Sequence, residues 1–186
     1  MNFVRRIETL RWFRQGQKKA RQGDLTGAVS RFRQVLQARP GHPFARVHLA
    51  LALVAAGEVE EARRLASEAA ARATGRPGVR LLAGRVFYDA GDLDRAREMF
   101  QSVLRDNPAN DLAAGYDLLA QWAAGDREAW RQLTPNALPD STPFLARWLE
   151  MVELELRREK WDAQRQAACA GAAPAPEGGR AQENAS

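Results

Sequence analysis

Gly23, Gly57, Gly91 and Gly125 stand 34 residues apart. Other positions keep the same step: Leu25, Val59 and Leu93; Ala28, Ala62 and Ala96; Val35, Ala69 and Val103. Pro40 and Pro108 lie two such steps apart. A period of this length marks a stacked repeat, in which each unit is too small to bury a core alone and its neighbours complete it. It also constrains function, because such stacks present surfaces to other chains and seldom carry chemistry.

The apolar pattern inside each period is helical. Phe3, Ile7, Leu10 and Phe13 fall near one stripe with bases around it, predicting a helix over residues 3–21. Gly23-Asp24 breaks it, and Asp24 is placed to cap a second helix carrying Leu25, Ala28, Val29, Phe32, Val35 and Leu36. Pro40-Gly41-His42-Pro43 ends that helix. The next unit opens with a helix from Phe44 to Val54 that is apolar nearly all round, so it should be buried on more than one side. Gly57 turns the chain into a helix whose face is small (Ala62, Ala66, Ala69), suited to close packing. A third unit runs Val79 to Ala90, then Leu93 to Arg105, and stops at Asp106-Asn107-Pro108. A fourth starts at Asp111 and keeps the step to Gly125, but Trp130 stands where a small alanine is due. Residues 133–139 read as a loop, and Thr142 and Pro143 as the start of a further amphipathic helix with Leu145, Trp148, Val152 and Leu156 on one stripe. From Ala167 the composition of Ala, Gly, Pro, Glu and Ser is that of a disordered tail.

The repeated glycine follows the first helix of each pair, where a left-handed backbone is cheap only for glycine. The repeated alanine sits where two helices cross closely, and a larger side chain there would overpack by roughly 1–3 kcal/mol. The proline ends the second helix.

These positions make the chain similar to the tetratricopeptide repeat (TPR) family, whose pattern is Trp, Leu-Gly and Tyr, then Ala, Phe and Pro. The first unit matches at Trp12, Gly16, Ala28, Phe32 and Pro40, and departs at Gln15 and Lys19. The second carries Leu49, Ala50, Leu53, Ala62 and Ala66, with Thr74 in the proline slot. The third carries Ala83, Gly84, Phe87, Ala96, Phe100 and Pro108. The resemblance implies an all-α, right-handed superhelical solenoid of antiparallel helix pairs, with three TPR-like repeats, a degenerate fourth and a C-terminal capping helix. The expected layout is a basic extension of the first helix over 1–8, a repeat domain over 9–132, a loop and capping helix over 133–166, and a tail over 167–186.

In TPR proteins the first helix of each repeat lines a concave face. Carried over position by position, this gives a partner-binding groove of Phe13, Gln17 and Arg21; Phe44, Val47 and Leu51; Leu81, Arg85 and Tyr88; and Leu119 and Trp122. The groove is mostly apolar and suits an amphipathic helix, with Arg21 and Arg85 favouring acidic neighbours. Some TPR proteins clamp acidic chaperone tails with Lys, Asn and Arg; the matching slots here hold Phe13, Gln17 and His48, which do not support that clamp. The implied function is a non-catalytic adaptor or scaffold that binds a peptide or helix of another protein. The large residues of the helix from Pro143 to Trp161 also suggest a homodimer formed through it.

Charge adds an alternative. Of a net charge of +5, the segment from Met1 to Arg21 carries seven bases (Arg5, Arg6, Arg11, Arg14, Lys18, Lys19, Arg21) against Glu8. Seven less one is +6, so the remainder nearly balances. Bases with Phe3, Val4, Ile7, Leu10, Trp12 and Phe13 suggest a peripheral protein held at a membrane surface, although the repeat pattern expects Trp12 inside. Nucleic acid is disfavoured, since no reading motif accompanies the basic segment. No enzyme is expected. His42 and His48 are the only histidines and are six apart, off the spacing that puts two ligands on one helical face, and no phosphate loop or nucleophile elbow appears. Both histidines read as bystanders, and no cofactor or metal is expected. Glu60-Glu61 and Glu153/Glu155 lie among arginines and read as ion-paired, solvated faces. The absence of an apolar leader stretch makes a cytoplasmic location the expectation, and Cys169 reads as an exposed bystander. Arginine-rich, alanine-rich composition hints at a bacterial source.

Overall fold

The first unit turns on its periodic glycines. Gly57 and Gly91 have φ of 87° and 75°, the left-handed region that a Cβ disfavours, and Gly23 and Gly125 take the same conformation. The residue after each glycine then reaches back across the turn. Glu58 donates its N–H to the Leu53 carbonyl at 2.9 Å and Asp92 to that of Phe87 at 2.8 Å, closing the helix end with a six-residue loop. Asp24 at once begins the next helix, its carboxylate accepting the Gly27 N–H at 2.8 Å.

The computed structural model describes residues 3–126, 150, 152–155, 157, 158 and 160–166, and the chain divides into two compact units, Met1–Trp148 and Leu149–Ser186. The first contains α1 (Phe3–Arg21), α2 (Leu25–Ala38), α3 (Pro43–Ala55), α4 (Val59–Ala71), α5 (Pro77–Asp89), α6 (Leu93–Asp106) and α7 (Asp111–Ala123). No strand occurs among the described residues. α1 packs on α2, α3 on α4 and α5 on α6 as antiparallel pairs; α2 meets α3, α4 meets α5 and α6 meets α7. α3 also lies along α5, so the first helices of neighbouring repeats form one wall, as the solenoid requires.

The crossing within a pair is set by complementary sizes. Gly16 sits over the Phe32 ring and Gly84 over the Phe100 ring, so closely that an added Cβ would lie 2.7 Å and 2.6 Å from ring carbons. The second repeat fills the same two slots with Ala50 and Ala66, both fully buried. In the first and third repeats the glycine makes room for a whole phenylalanine ring, while the second repeat puts a small alanine in each slot, so none of the three overpacks there. α3 contributes Ala45, Val47, Leu49, Ala50, Ala52 and Leu53 to the core, which bears out its expected burial on several sides.

Charged side chains tie repeats together at the surface. Arg33 on α2 meets Glu61 on α4 at 3.2 Å, and Arg97 on α6 meets the nearly buried Asp117 on α7 at 3.4 Å. Arg63 donates to the Ala90 carbonyl at 2.7 Å, and the buried Arg46 to that of Pro40 at 2.6 Å. Glu60 and Glu61 are both ion-paired, as expected from the surrounding arginines.

The second unit contributes described helical residues between 150 and 166. Glu153 pairs with Arg157 at 2.5 Å and Glu155 with Arg158 at 3.7 Å. Arg165 lies 4.7 Å above the Trp161 ring. Leu154 and Trp161, two turns apart, are both about half exposed. The second helix of the fourth unit with Trp130, the loop over 133–139, the helix start at Thr142-Pro143, and the tail with Cys169 lie outside the described residues.

Candidate functional site

The first helices of three successive repeats enclose a hollow of about 360 Å³. α1 supplies Gln17, Ala20 and Arg21; α3 supplies His48, Leu51, Ala52 and Ala55; α5 supplies Leu82 and Arg85; Leu25 closes the end at the start of α2. Four residues expected in a groove thus come together here: Gln17, Arg21, Leu51 and Arg85. The floor is aliphatic, the rim carries two guanidinium groups, and no carboxylate borders the hollow among the described residues.

Phe13 stands behind it. Its ring lies 5.8 Å from that of Phe32, edge-on, and 5.3 Å from both His42 and His48. It therefore anchors the wall rather than facing the opening. His48 stacks on Phe32 at 5.6 Å, and its Nε2 lies 3.4 Å from Gln17 Nε2. As placed, the Gln17 amide donates and the imidazole accepts, which is an interaction for neutral histidine only. Burial, and then the positive charges of Arg85 and His42, push the His48 pKa down from 6.5 to about 4. His42 has a structural role, since its Nδ1 accepts the Ala45 N–H at 3.1 Å and caps α3. Burial and the Arg39 charge lower its pKa as well. Arg85 lies 3.7 Å from Asp89 one turn on, an ion-pair distance longer than a hydrogen bond.

The other expected groove residues divide into two groups. Phe44, Leu81, Tyr88 and Trp122 are partly accessible but do not border this hollow. The Phe44 ring lies 3.7 Å from where a Cβ on Gly78 would be, and Tyr88 meets Tyr116 edge-on at 6.2 Å. Val47 and Leu119 do not belong in a groove: they are 0% and 1% exposed, so the core holds them and no partner can touch them. On α3 the accessible stripe runs through His48, Leu51 and Ala55, one residue round from the buried Val47. Selecting apolar residues on a helix that is apolar all round picks the core-facing ones. The spacing of His48 from Phe44 and Leu51, four and three residues, is the signal for the open stripe. Trp12 is half-buried rather than enclosed.

The family model for the tetratricopeptide repeat matches over residues 19–76 and again over 53–122, together more than half of the chain. No curated protein sequence matches it. Solved structures share the fold. TTC0263, a thermophilic TPR protein of Thermus thermophilus, is 20% identical with a TM-score of 0.68 over 88% of this chain and 91% of its own. Pseudomonas aeruginosa pilF is 16% identical with a TM-score of 0.63 over 88% of this chain and 78% of its own. The second TPR domain of human RPAP3, solved in complex with the HSP70 peptide SGPTIEEVD, is 17% identical with a TM-score of 0.55, covering 63% of this chain and 98% of that domain.

Proposed function

Because the chain belongs to the tetratricopeptide repeat family, we propose that it is a non-catalytic interaction module, acting in the cytoplasm, whose partner is a segment of another protein laid in the hollow between α1, α3 and α5. One observation carries this reading: an aliphatic floor of Leu51, Ala52 and Leu82 lies between Arg21 and Arg85 with no acid at the border among the described residues. Such a site fits an apolar side chain flanked by Asp or Glu. The aliphatic part supplies affinity by excluding water, and the guanidinium groups select the neighbours through charge-assisted hydrogen bonds. The RPAP3 domain with its HSP70 peptide is a precedent in the same fold for holding an acidic peptide. The side chains that would do so here are Arg21 and Arg85, beside a wall of Phe13, Gln17 and His48. A helix is an equally suitable shape. The segment with described helical residues between 150 and 166 of a second molecule, with Leu154 and Trp161 exposed, is one such ligand and would give a homodimer.

A display library of random peptides, selected on the immobilised protein, tests the reading. Enriched sequences should combine Leu, Ile or an aromatic residue with a nearby Asp or Glu. Arg85→Glu should weaken their binding at least about tenfold, a change of ~1.4 kcal/mol, and Arg64→Glu on the far helix α4 should not. Equal binding to all three proteins would place the interaction elsewhere. Sedimentation across a concentration series addresses the dimer, and a single monomeric species throughout would remove it.

A further inference from the structure

The basic charge of the chain has a definite direction. Thr9 is buried and Gly16 packs against Phe32, so this side of α1 faces α2. Ile7, Leu10, Arg14 and Lys18 follow one another at three- and four-residue steps on the opposite side, with Arg11 next to Leu10 and one turn from both Ile7 and Arg14. Ile7 is 52% exposed and Leu10 51%, which is unusual for aliphatic side chains in a repeat that otherwise encloses them. With Gln15, these five border a shallow hollow of about 310 Å³, and every described residue around it comes from α1. Among the described residues no carboxylate pairs with Arg11, Arg14 or Lys18, whereas neighbouring Lys19 is held by Asp24 at 2.5 Å.

We propose that this outer stripe of α1 rests on an anionic lipid surface, with Ile7 and Leu10 entering below the headgroups and Arg11, Arg14 and Lys18 pairing with lipid phosphates and carboxylates. Charge complementarity requires an anionic occupant, and a second copy presenting the same bases would be repelled. Shape then distinguishes the anions. The stripe is a ridge of one helix without a second described wall, which matches a plane better than it grips a peptide. Single-stranded nucleic acid needs exposed aromatic faces for its bases, but Phe13 is turned into the wall beside Phe32 and His48. Exposed aliphatic groups among unpaired bases are what an interfacial helix uses. No helix among the described residues is long and apolar enough to cross a membrane, so the contact is one of lying on the surface. The proposal is independent of the concave hollow, and both surfaces can be occupied together.

Flotation with phosphatidylcholine vesicles, with or without about 30% phosphatidylserine, tests it at physiological ionic strength. The full chain should float with the anionic vesicles, and its partition should fall about tenfold or more on neutral ones. Ile7→Ser/Leu10→Ser should lose binding to a similar degree, as should Arg11→Glu/Arg14→Glu. These side chains are exposed, so both variants should keep the wild-type melting curve. Arg85→Glu should float like wild type. Failure to float with anionic vesicles would overturn the proposal. So would undiminished binding by the serine variant, which would reduce the contact to charge alone, or equal competition by a soluble acidic polypeptide or RNA.

Discussion

At the residue scale, two glycines on the same helix should respond in opposite ways to the same change. Both Gly78 and Gly84 lie within α5, where alanine is favoured over glycine by up to about 1 kcal/mol. A Cβ on Gly84 would stand 2.6 Å from a ring carbon of Phe100, and that ring is fully buried and cannot swing aside. Overpacking of this kind costs ~1–3 kcal/mol, which exceeds the helical gain. A Cβ on Gly78 would stand 3.7 Å from the Phe44 ring, an ordinary contact, at an exposed position. Gly84→Ala should therefore destabilise by about 1–2 kcal/mol, while Gly78→Ala should be neutral or stabilise by a few tenths. Urea unfolding midpoints of the two variants against wild type check this, and a stabilised Gly84→Ala would mean that the α5–α6 crossing is looser than its geometry.

At the element scale, helix starts differ in how well they are capped. Asn110 accepts the Ala113 N–H at 2.9 Å at the head of α7, whereas Glu58, heading α4, makes no side-chain cap bond. Asn110→Ala should cost ~1 kcal/mol, and Glu58→Asp, which installs the shorter carboxylate used by Asp24 in the first repeat, should gain a few tenths. Thermal melts of both variants measure this, and no response to either would show these helix ends to be held by packing alone. Most of the elements are legible in the sequence, because a period of 34 with Gly, Ala and Pro in phase fixes helix pairs, their turns and their stacking. The site is legible only in part. Periodicity names a helical face, but α3 is buried on nearly every side, so apolar character cannot separate its core residue Val47 from its open residue Leu51. His48 reads as a bystander in the sequence because its value lies in position, beside Gln17 and in front of Phe32, and that juxtaposition joins residues from three helices. The outward turn of Ile7 and Leu10 is hidden for a similar reason: one stripe of α1 splits into a core-facing Phe13 and exposed neighbours only once α2 and α3 are in place.

At the scale of the whole repeat unit, the same histidine couples stability to acidity. His48 bridges the first two repeats, touching Phe13 and Gln17 on α1 and Phe32 on α2 from its place on α3. Its folded pKa lies near 4 against 6.5 when free, so the unfolded chain takes up a proton first as pH falls. The stability associated with a neutral His48 is therefore complete above 6.5 and is lost on acidification down to about 4, with no further change below. The gap between those values corresponds to a ceiling of ~3 kcal/mol, since each tenfold factor is about 1.4 kcal/mol. His42, lowered for the same reason of burial, adds in the same direction. The exposed Asp24 carboxylate, lowered by the Lys19 hydrogen bond and the Gly27 N–H, acts only below its ordinary 3.8 and so outside this window. In a stack where each repeat leans on its neighbour, the loss should appear first in α1 and α2, whose amide protection factors, taken against the intrinsic rate at each pH, should fall between pH 7 and pH 5 while those of α5 and α6 hold. His48→Gln keeps a polar side chain beside Gln17 but cannot titrate, so its unfolding midpoint should change less between pH 7 and pH 5 than that of wild type. If both proteins lose stability equally over that interval, the acid sensitivity resides in other groups and His48 is not the joint that couples the first two repeats to pH.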